Sequence, residues 1–315
     1  MIRDKDEKKV LTLIIFFLTL ILQSCNDQPD IKRDEGLHSM TLSADGANIV
    51  FSWVNNGQAS VYQANIDGSE PEILAESEAG ISFLNPKVST SGNKIVFVGF
   101  EEGAVNSSVW MINKDGSGMK QLTDNKTIRT EAMFSLSEDS VFFCQANDYK
   151  SYSPIGRRAA HSYDIYSLSM ANGVVDKITN LASYGLYYIT NFSNNEIIFN
   201  SIDTEEGLFI FSKSGDSIRR IIPRNKGDRD MLSYSNPVVI DSTLIACSSY
   251  YELLLIDLKT GEEKEIGRSP SGEFRSLSFN KGDKRLYFIV SGKKNRVFSI
   301  NLDGTGLNEI PLDIK

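Results

Sequence analysis

Between Ile49 and Phe288 a short apolar strand recurs six times, and its third residue is Phe in all but one copy. The segments are IVFSW (49–53), IVFVG (95–99), VFFCQ (141–145), IIFNS (197–201), LIACS (244–248) and LYFIV (286–290). Phe51, Phe97, Phe143, Phe199, Ala246 and Phe288 follow one another at intervals of 46, 46, 56, 47 and 42. A repeat of this length built from short strands and tight turns is the mark of a β-propeller blade. Six units predict an all-β, six-bladed propeller. Such a fold is a scaffold whose chemistry lives in its loops.

The rest of each unit fits four strands. A first strand and turn read MTLSADG (40–46), PKVSTSG (86–92), AMFSLSED (132–139), ITNFSNN (189–195), PVVIDS (237–242) and SLSFNKG (276–282). Gly and Asn tolerate positive φ, and Asp binds its own backbone, so these residues gather at turns. The third strand carries an aromatic at Tyr62, Trp110, Tyr166, Phe209 and Phe298, with Leu255 taken for the fifth unit. Apolar and polar residues alternate with period two, and no helical window occurs outside the N-terminal segment. The Phe and aromatic stripe is therefore expected between blades, as core.

The first 24 residues read as a signal peptide. Arg3, Lys5, Lys8 and Lys9 precede an uncharged apolar run, Val10 to Leu22, and then Gln23-Ser24-Cys25. Thirteen residues are too few to span a bilayer, which takes about 20, whereas a short apolar core ending at small residues suits secretion. The Cys at the cut resembles a bacterial lipobox, which implies that Cys25 carries a lipid. Residues 25–37 are polar and charged and read as a flexible tether. The propeller is placed at 38–315. Of 33 basic and 41 acidic residues, four and three precede Cys25, which leaves a net charge of −9. An acidic surface repels phosphate backbones, so nucleic acid is not an expected partner. Cys144 and Cys247 fall in non-neighbouring units, too far apart for a disulfide, and read as buried free thiols.

SADGANIVF (43–51) and VWMINKDGSGMKQLT (109–123) resemble the TolB-type, WD40-like propeller repeat, in which Ser-Pro-Asp-Gly, an Ile-Ala-Phe strand, Asn-x-Asp-Gly and Leu-Thr succeed one another. The resemblance covers 38–315. It implies six blades of four antiparallel strands and leaves the ligand open, because the family spans scaffolds, sensors and domains of hydrolases.

Catalytic motifs are missing from the sequence. Only His38 and His161 are present, so a three-His metal site is excluded by count. No Gly-x-Ser-x-Gly elbow and no phosphate loop occurs. The Asp-Gly turns lack the alternating acids of a calcium loop. No catalytic residue, metal or cofactor is assigned.

One unit is irregular. From Phe143 to Tyr166 is 23 residues, against 13 between Phe97 and Trp110. The added segment, 147–163, joins the second and third strands, on the face that also carries the links between blades. It brings Tyr149, Tyr152, Arg157, Arg158 and His161, and the links bring Arg129, Arg224, Lys226, Arg229 and Arg268. Arg pairs well with carboxylate and phosphate, and Arg with aromatics anchors binding patches. Glu101, Glu102, Asp203, Glu205, Glu206, Asp228 and Asp230 share that face and could neutralise it. The first expectation is a noncatalytic, monomeric propeller of the cell envelope, lipid-anchored at the outer membrane, binding a protein or glycan. An envelope enzyme acting on acidic carbohydrate and a structural subunit of an outer-membrane complex are the alternatives.

Overall fold

The computed structural model describes residues 33–315, except 79, 152, 154, 204–206, 214–216, 222–233, 271, 313 and 315. The segment read as a signal peptide, Cys25 and most of the expected tether lie outside the described residues. Twenty-four strands form six separate four-stranded antiparallel sheets, each from consecutive strands. The first strands are Gly36–Leu42, Ile81–Val88, Ile128–Phe134, Gly185–Asn191, Ser235–Val239 and Phe274–Asn280. Each touches the first strands of both neighbouring blades, and the ring closes between the first and sixth. The fold is thus the six-bladed propeller that the repeat predicts.

The ring closes without exchange of a strand. The last strand, Asn308–Ile310, pairs within blade 6, and Gly36 and Leu37 pair within blade 1. Side-chain packing does the closing instead: Leu37, Met40, Ile49 and Phe51 meet Tyr287, Ile289, Val297 and Ile310 in one cluster. The Cβ of an alanine at Gly68, where φ is +85°, would stand 2.0 Å from the Pro311 carbonyl oxygen. Only glycine lets the Asn-x-Asp-Gly turn of blade 1 lie this close to the C-terminal segment. Its neighbour Asp67 accepts from the amide and hydroxyl of Ser69 at 3.0 and 2.6 Å, a turn closed by its own side chain.

The Phe stripe is core. Phe51, Phe97, Phe143, Phe199 and Phe288 are buried, and each faces the preceding blade. Four stack nearly parallel on their register partners Tyr62, Tyr166, Phe209 and Phe298, at 5.7 to 6.3 Å between ring centres. Phe97 instead meets Phe83 edge-on at 5.0 Å.

Blade 5 departs from the expected alignment by one residue. Ala246 faces blade 6, while Cys247, paired with Leu254, occupies the place of the Phe and faces blade 4. Side chains alternate across a strand, so a slip of one residue exchanges the two faces. Leu254, not Leu255, therefore fills the aromatic position. The small Cys247 is accompanied by Tyr234, buried in the same cluster, whose hydroxyl donates to Glu263 at 2.5 Å. Cys144 and Cys247 are buried free thiols on opposite sides of blade 4, as their spacing implied.

Two boundaries also move. Arg33 and Glu35, assigned to the tether, already dock on the fold. Arg33 pairs with Glu102 at 2.8 Å, and the Glu35 carboxylate accepts from the amides of Asn56 and Gly57 at 3.1 and 3.0 Å. In blade 3 the segment 147–163 is mostly a hairpin. The second and third strands run on as Ser140–Lys150 and Ala159–Ser169 and leave 151–158 as the connection.

Every junction between blades is clasped by a side chain on the neighbour's backbone. Ser39 Oγ accepts from the Asn85 amide (3.0 Å), and Asn85 donates to Thr130 O (2.8 Å). The two oxygens of Glu131 accept from the amides of Tyr188 and Ile189. Asn200 donates to Tyr234 O, and Asn236 donates to Phe274 O while accepting from the Ser276 amide. Asn280 and Asn295 reach Gly46 O and Leu37 O across the seam. These clasps lie largely at bulges that recur in all six first strands, at the stretches 37–39, 84–87, 129–131, 187–190, 235–238 and 275–278. A bulge interrupts the ladder and leaves backbone groups unpaired. Clasping those groups fixes one blade to the next.

Candidate functional site

Second-to-third-strand turns and inter-blade links share one face. On it the blade 3 hairpin holds Arg158 over the ring of Tyr149 at 4.6 Å, with a hydrogen bond to Tyr149 O at 3.0 Å. Arg157 is exposed, and Ile155 beside it is 97% exposed. Exposed Tyr184, Tyr250 and Tyr251 come from a link and from the blade 5 turn on this same face. The sequence reading passed over these three tyrosines, because alternation alone does not tell a turn aromatic from a core one.

The predicted patch is only partly assembled. Arg129 lies in the first strand of blade 3, 5% exposed, at the register position that Leu37, Phe83 and Phe274 occupy in their blades. Its guanidinium stacks on Phe143 at 5.4 Å and binds Ser107 O, Asp124 O and the Asp124 carboxylate. It is an interior cation that takes an apolar residue's place. His161 is buried too, its ring 4.3 Å from that of Tyr184. Arg268 is held by Glu252 and Glu265 at 2.6 and 2.7 Å. Tyr152, Arg224 and Arg229, with Lys226, lie outside the described residues, as do Glu205, Glu206, Asp228 and Asp230. Arg157, Arg158 and Tyr149 remain together on the exposed hairpin.

A second group of ionisable side chains surrounds the propeller axis, and sequence reading missed it. His38 stands at the bulge of blade 1, where burial and then the charges of Arg33 and Arg275 lower its pKa to about 4. Burial raises the Glu131 carboxyl to about 7, against the opposing pull of Lys87 and of the two amides it accepts from. Burial likewise lowers Lys87, with Glu131 opposing. The Tyr188 hydroxyl is raised by burial and by Glu131, and it also feels Arg275. Tyr188 and Arg275 belong to blades 4 and 6, which are not neighbours, so they meet across the axis. Residues far apart in sequence converge there only because the ring closes.

This group does not form a ready acid–base pair. Both Glu131 oxygens are occupied by backbone amides, and general-base catalysis needs a group within hydrogen-bond reach of its substrate. Among the described residues no three His, Cys, Asp or Glu side chains converge as a metal site. Among them, too, no helix is long and apolar enough to cross a membrane.

No protein-family model matches the chain, and no curated protein matches it in sequence. Solved structures do match its fold. TolB from Acinetobacter baumannii superposes with a TM-score of 0.67 at 16% identity, over 85% of this chain and 64% of that one. This chain therefore spans somewhat less than two thirds of that protein. An oligogalacturonate lyase in complex with manganese gives 0.59 at 10% identity, over 87% and 76% of the two chains. The β-propeller domain of the Trilobed protease from Pyrococcus furiosus, described as having an open velcro topology, gives 0.54 at 13%, over 88% and 81%. These likenesses establish a TolB-like propeller fold, shared with TolB, with a lyase and with a domain of a protease.

Proposed function

We propose that this protein is a noncatalytic binding propeller of the bacterial cell envelope, anchored by a lipid on Cys25. It takes an acidic partner, protein or glycan, on the face built by the blade 3 hairpin and the inter-blade links. The observation that carries this reading is the division of labour among its polar groups. Glu131 at the axis is engaged in holding blades 3 and 4 together, whereas Arg157, Arg158, Tyr184, Tyr250 and Tyr251 are exposed on one face. Exposed Tyr supplies contact area with little loss of side-chain freedom, Arg is a frequent anchor of binding patches, and a propeller needs no other machinery to act as a scaffold.

The reading is tested by site-specific photo-crosslinking in cells, with the reactive group at 157 or, as a control on the opposite face, at 136. Defined adducts from position 157 alone are expected, diminished when Tyr250 and Tyr251 are both changed to Ala. Equal adducts from both positions, or adducts indifferent to the tyrosines, would overturn the assignment of the face.

A further inference from the structure

The junction of blades 5 and 6 is underfilled. In the outer strand of blade 5, Gly267 pairs with Leu253, where the matching pairs in blades 1, 4 and 6 are Val61–Ala75, Leu208–Ile221 and Val297–Ile310. Nothing in the backbone requires this glycine. A Cβ there would rest 3.4 Å from Ile300 Cδ1 and 3.7 Å from Leu253 Cβ, close to ordinary contact. What the missing side chain leaves is space.

That space belongs to a cavity of about 660 Å³ between the two blades. Its apolar wall is Leu253, Phe274, Phe288, Phe298 and Ile300. Four cations stand around it, Arg268, Lys293, Lys294 and Arg296, and among the described residues no carboxylate side chain lines it. In a chain with a net charge of −8 this local excess is not expected from composition. Arg268 and Arg296 are already paired, with Glu252 and Glu265 and with Glu309. Lys293 and Lys294 are exposed on the turn of blade 6 and have no ion-pair partner among the described residues. Small-molecule sites have this form: a mostly apolar cavity of roughly 300–1,000 Å³ with a few polar groups at fixed places.

We propose that the cavity binds a small amphiphile with an apolar body and a single anionic head, carboxylate or phosphate monoester. The body lies against the three Phe rings, and the head meets Lys293 and Lys294 at the mouth. Apolar burial supplies the affinity and the lysines select the charge. The cavity opens on the face that carries the hairpin and shares Arg268 with the predicted patch, but Arg157, Arg158, Tyr184, Tyr250 and Tyr251 do not line it, so either assignment can fail without the other.

Calorimetric titration of the full-length protein with decanoate tests the proposal, with decanol, decyl phosphate and inorganic phosphate as comparators. Decanoate and decyl phosphate are expected to bind about tenfold or more tightly than decanol, the discrimination one charge-assisted contact supplies. Lys293→Ala with Lys294→Ala removes that advantage without touching the core. Gly267→Leu fills the cavity and abolishes binding of both anions; Gly267→Ala, which the contacts tolerate, weakens it if the leucine variant does not fold. Amide hydrogen exchange locates the site independently, with protection expected in the strands Glu263–Arg268 and Arg296–Asn301. Equal affinity for decanol and decanoate, binding of inorganic phosphate as tight as that of decyl phosphate, or protection elsewhere in the ring would each overturn it.

Discussion

Replacing Glu131 by Gln isolates a buried charge at the axis. The Glu131 side chain belongs to a residue only 7% exposed, and its carboxyl is raised from 4.5 to about 7, chiefly by burial. Between those values the native protein holds a proton that the unfolded chain releases. Stability contributed by Glu131 is therefore greatest below pH 4.5 and declines as pH rises to 7, beyond which the loss is constant. At 1.36 kcal/mol per pKa unit the decline is about 3 kcal/mol. Gln removes it, while leaving one of two amides, Tyr188 or Ile189, short of an acceptor at a pH-independent cost of about 1–3 kcal/mol. His38 acts in the opposite sense: its pKa is lowered from 6.5 to about 4, so its contribution is lost as pH falls through that window. In the wild type the two opposing slopes offset each other between pH 4.5 and 6.5. The variant exposes the His38 slope alone. Chemical denaturation of both proteins from pH 4.5 to 7.5 reads this out, and the stability difference should move in favour of Gln by about 3 kcal/mol across that range. A difference that stays flat with pH, or moves the other way, would refute a buried carboxyl titrating near neutrality.

Phe97→Ala should destabilise the fold by about 3–5 kcal/mol, the usual loss for a buried Phe, measured by the shift in denaturation midpoint. Gly68→Ala should cost more than a surface substitution, since its Cβ meets Pro311 O at 2.0 Å, and limited proteolysis should show the seam of blades 1 and 6 opening first. Arg157→Ala with Arg158→Ala should change stability by less than about 0.5 kcal/mol each, yet weaken binding of an acidic partner; unfolding like that of the Phe97 variant would make the hairpin structural. Cys25→Ser should leave the precursor uncut and unlabelled by radioactive fatty acid, and label on that variant would reject lipidation at Cys25.

The sequence by itself determined the number of blades, their boundaries to within a few residues, and the identity of the interleaving rings. Those properties follow from local rules, turn chemistry and period-two alternation, which each unit obeys by itself. Blade 5 marks the limit of that method. LIACS lacks the ring that fixes the phase of the other five strands, and only its packing against blade 4 and Tyr234 shows that Cys247 holds the place. Arg129 marks another, since a guanidinium in a strand reads as a surface charge until Phe143, Ser107 and Asp124 are seen around it. The clasps across blades, the convergence of His38, Lys87, Glu131, Tyr188 and Arg275, and the cavity beside Gly267 were decided by tertiary structure alone. Each depends on contacts between different blades, and the distance between two blades is set by closure of the ring, which no segment of the chain encodes by itself.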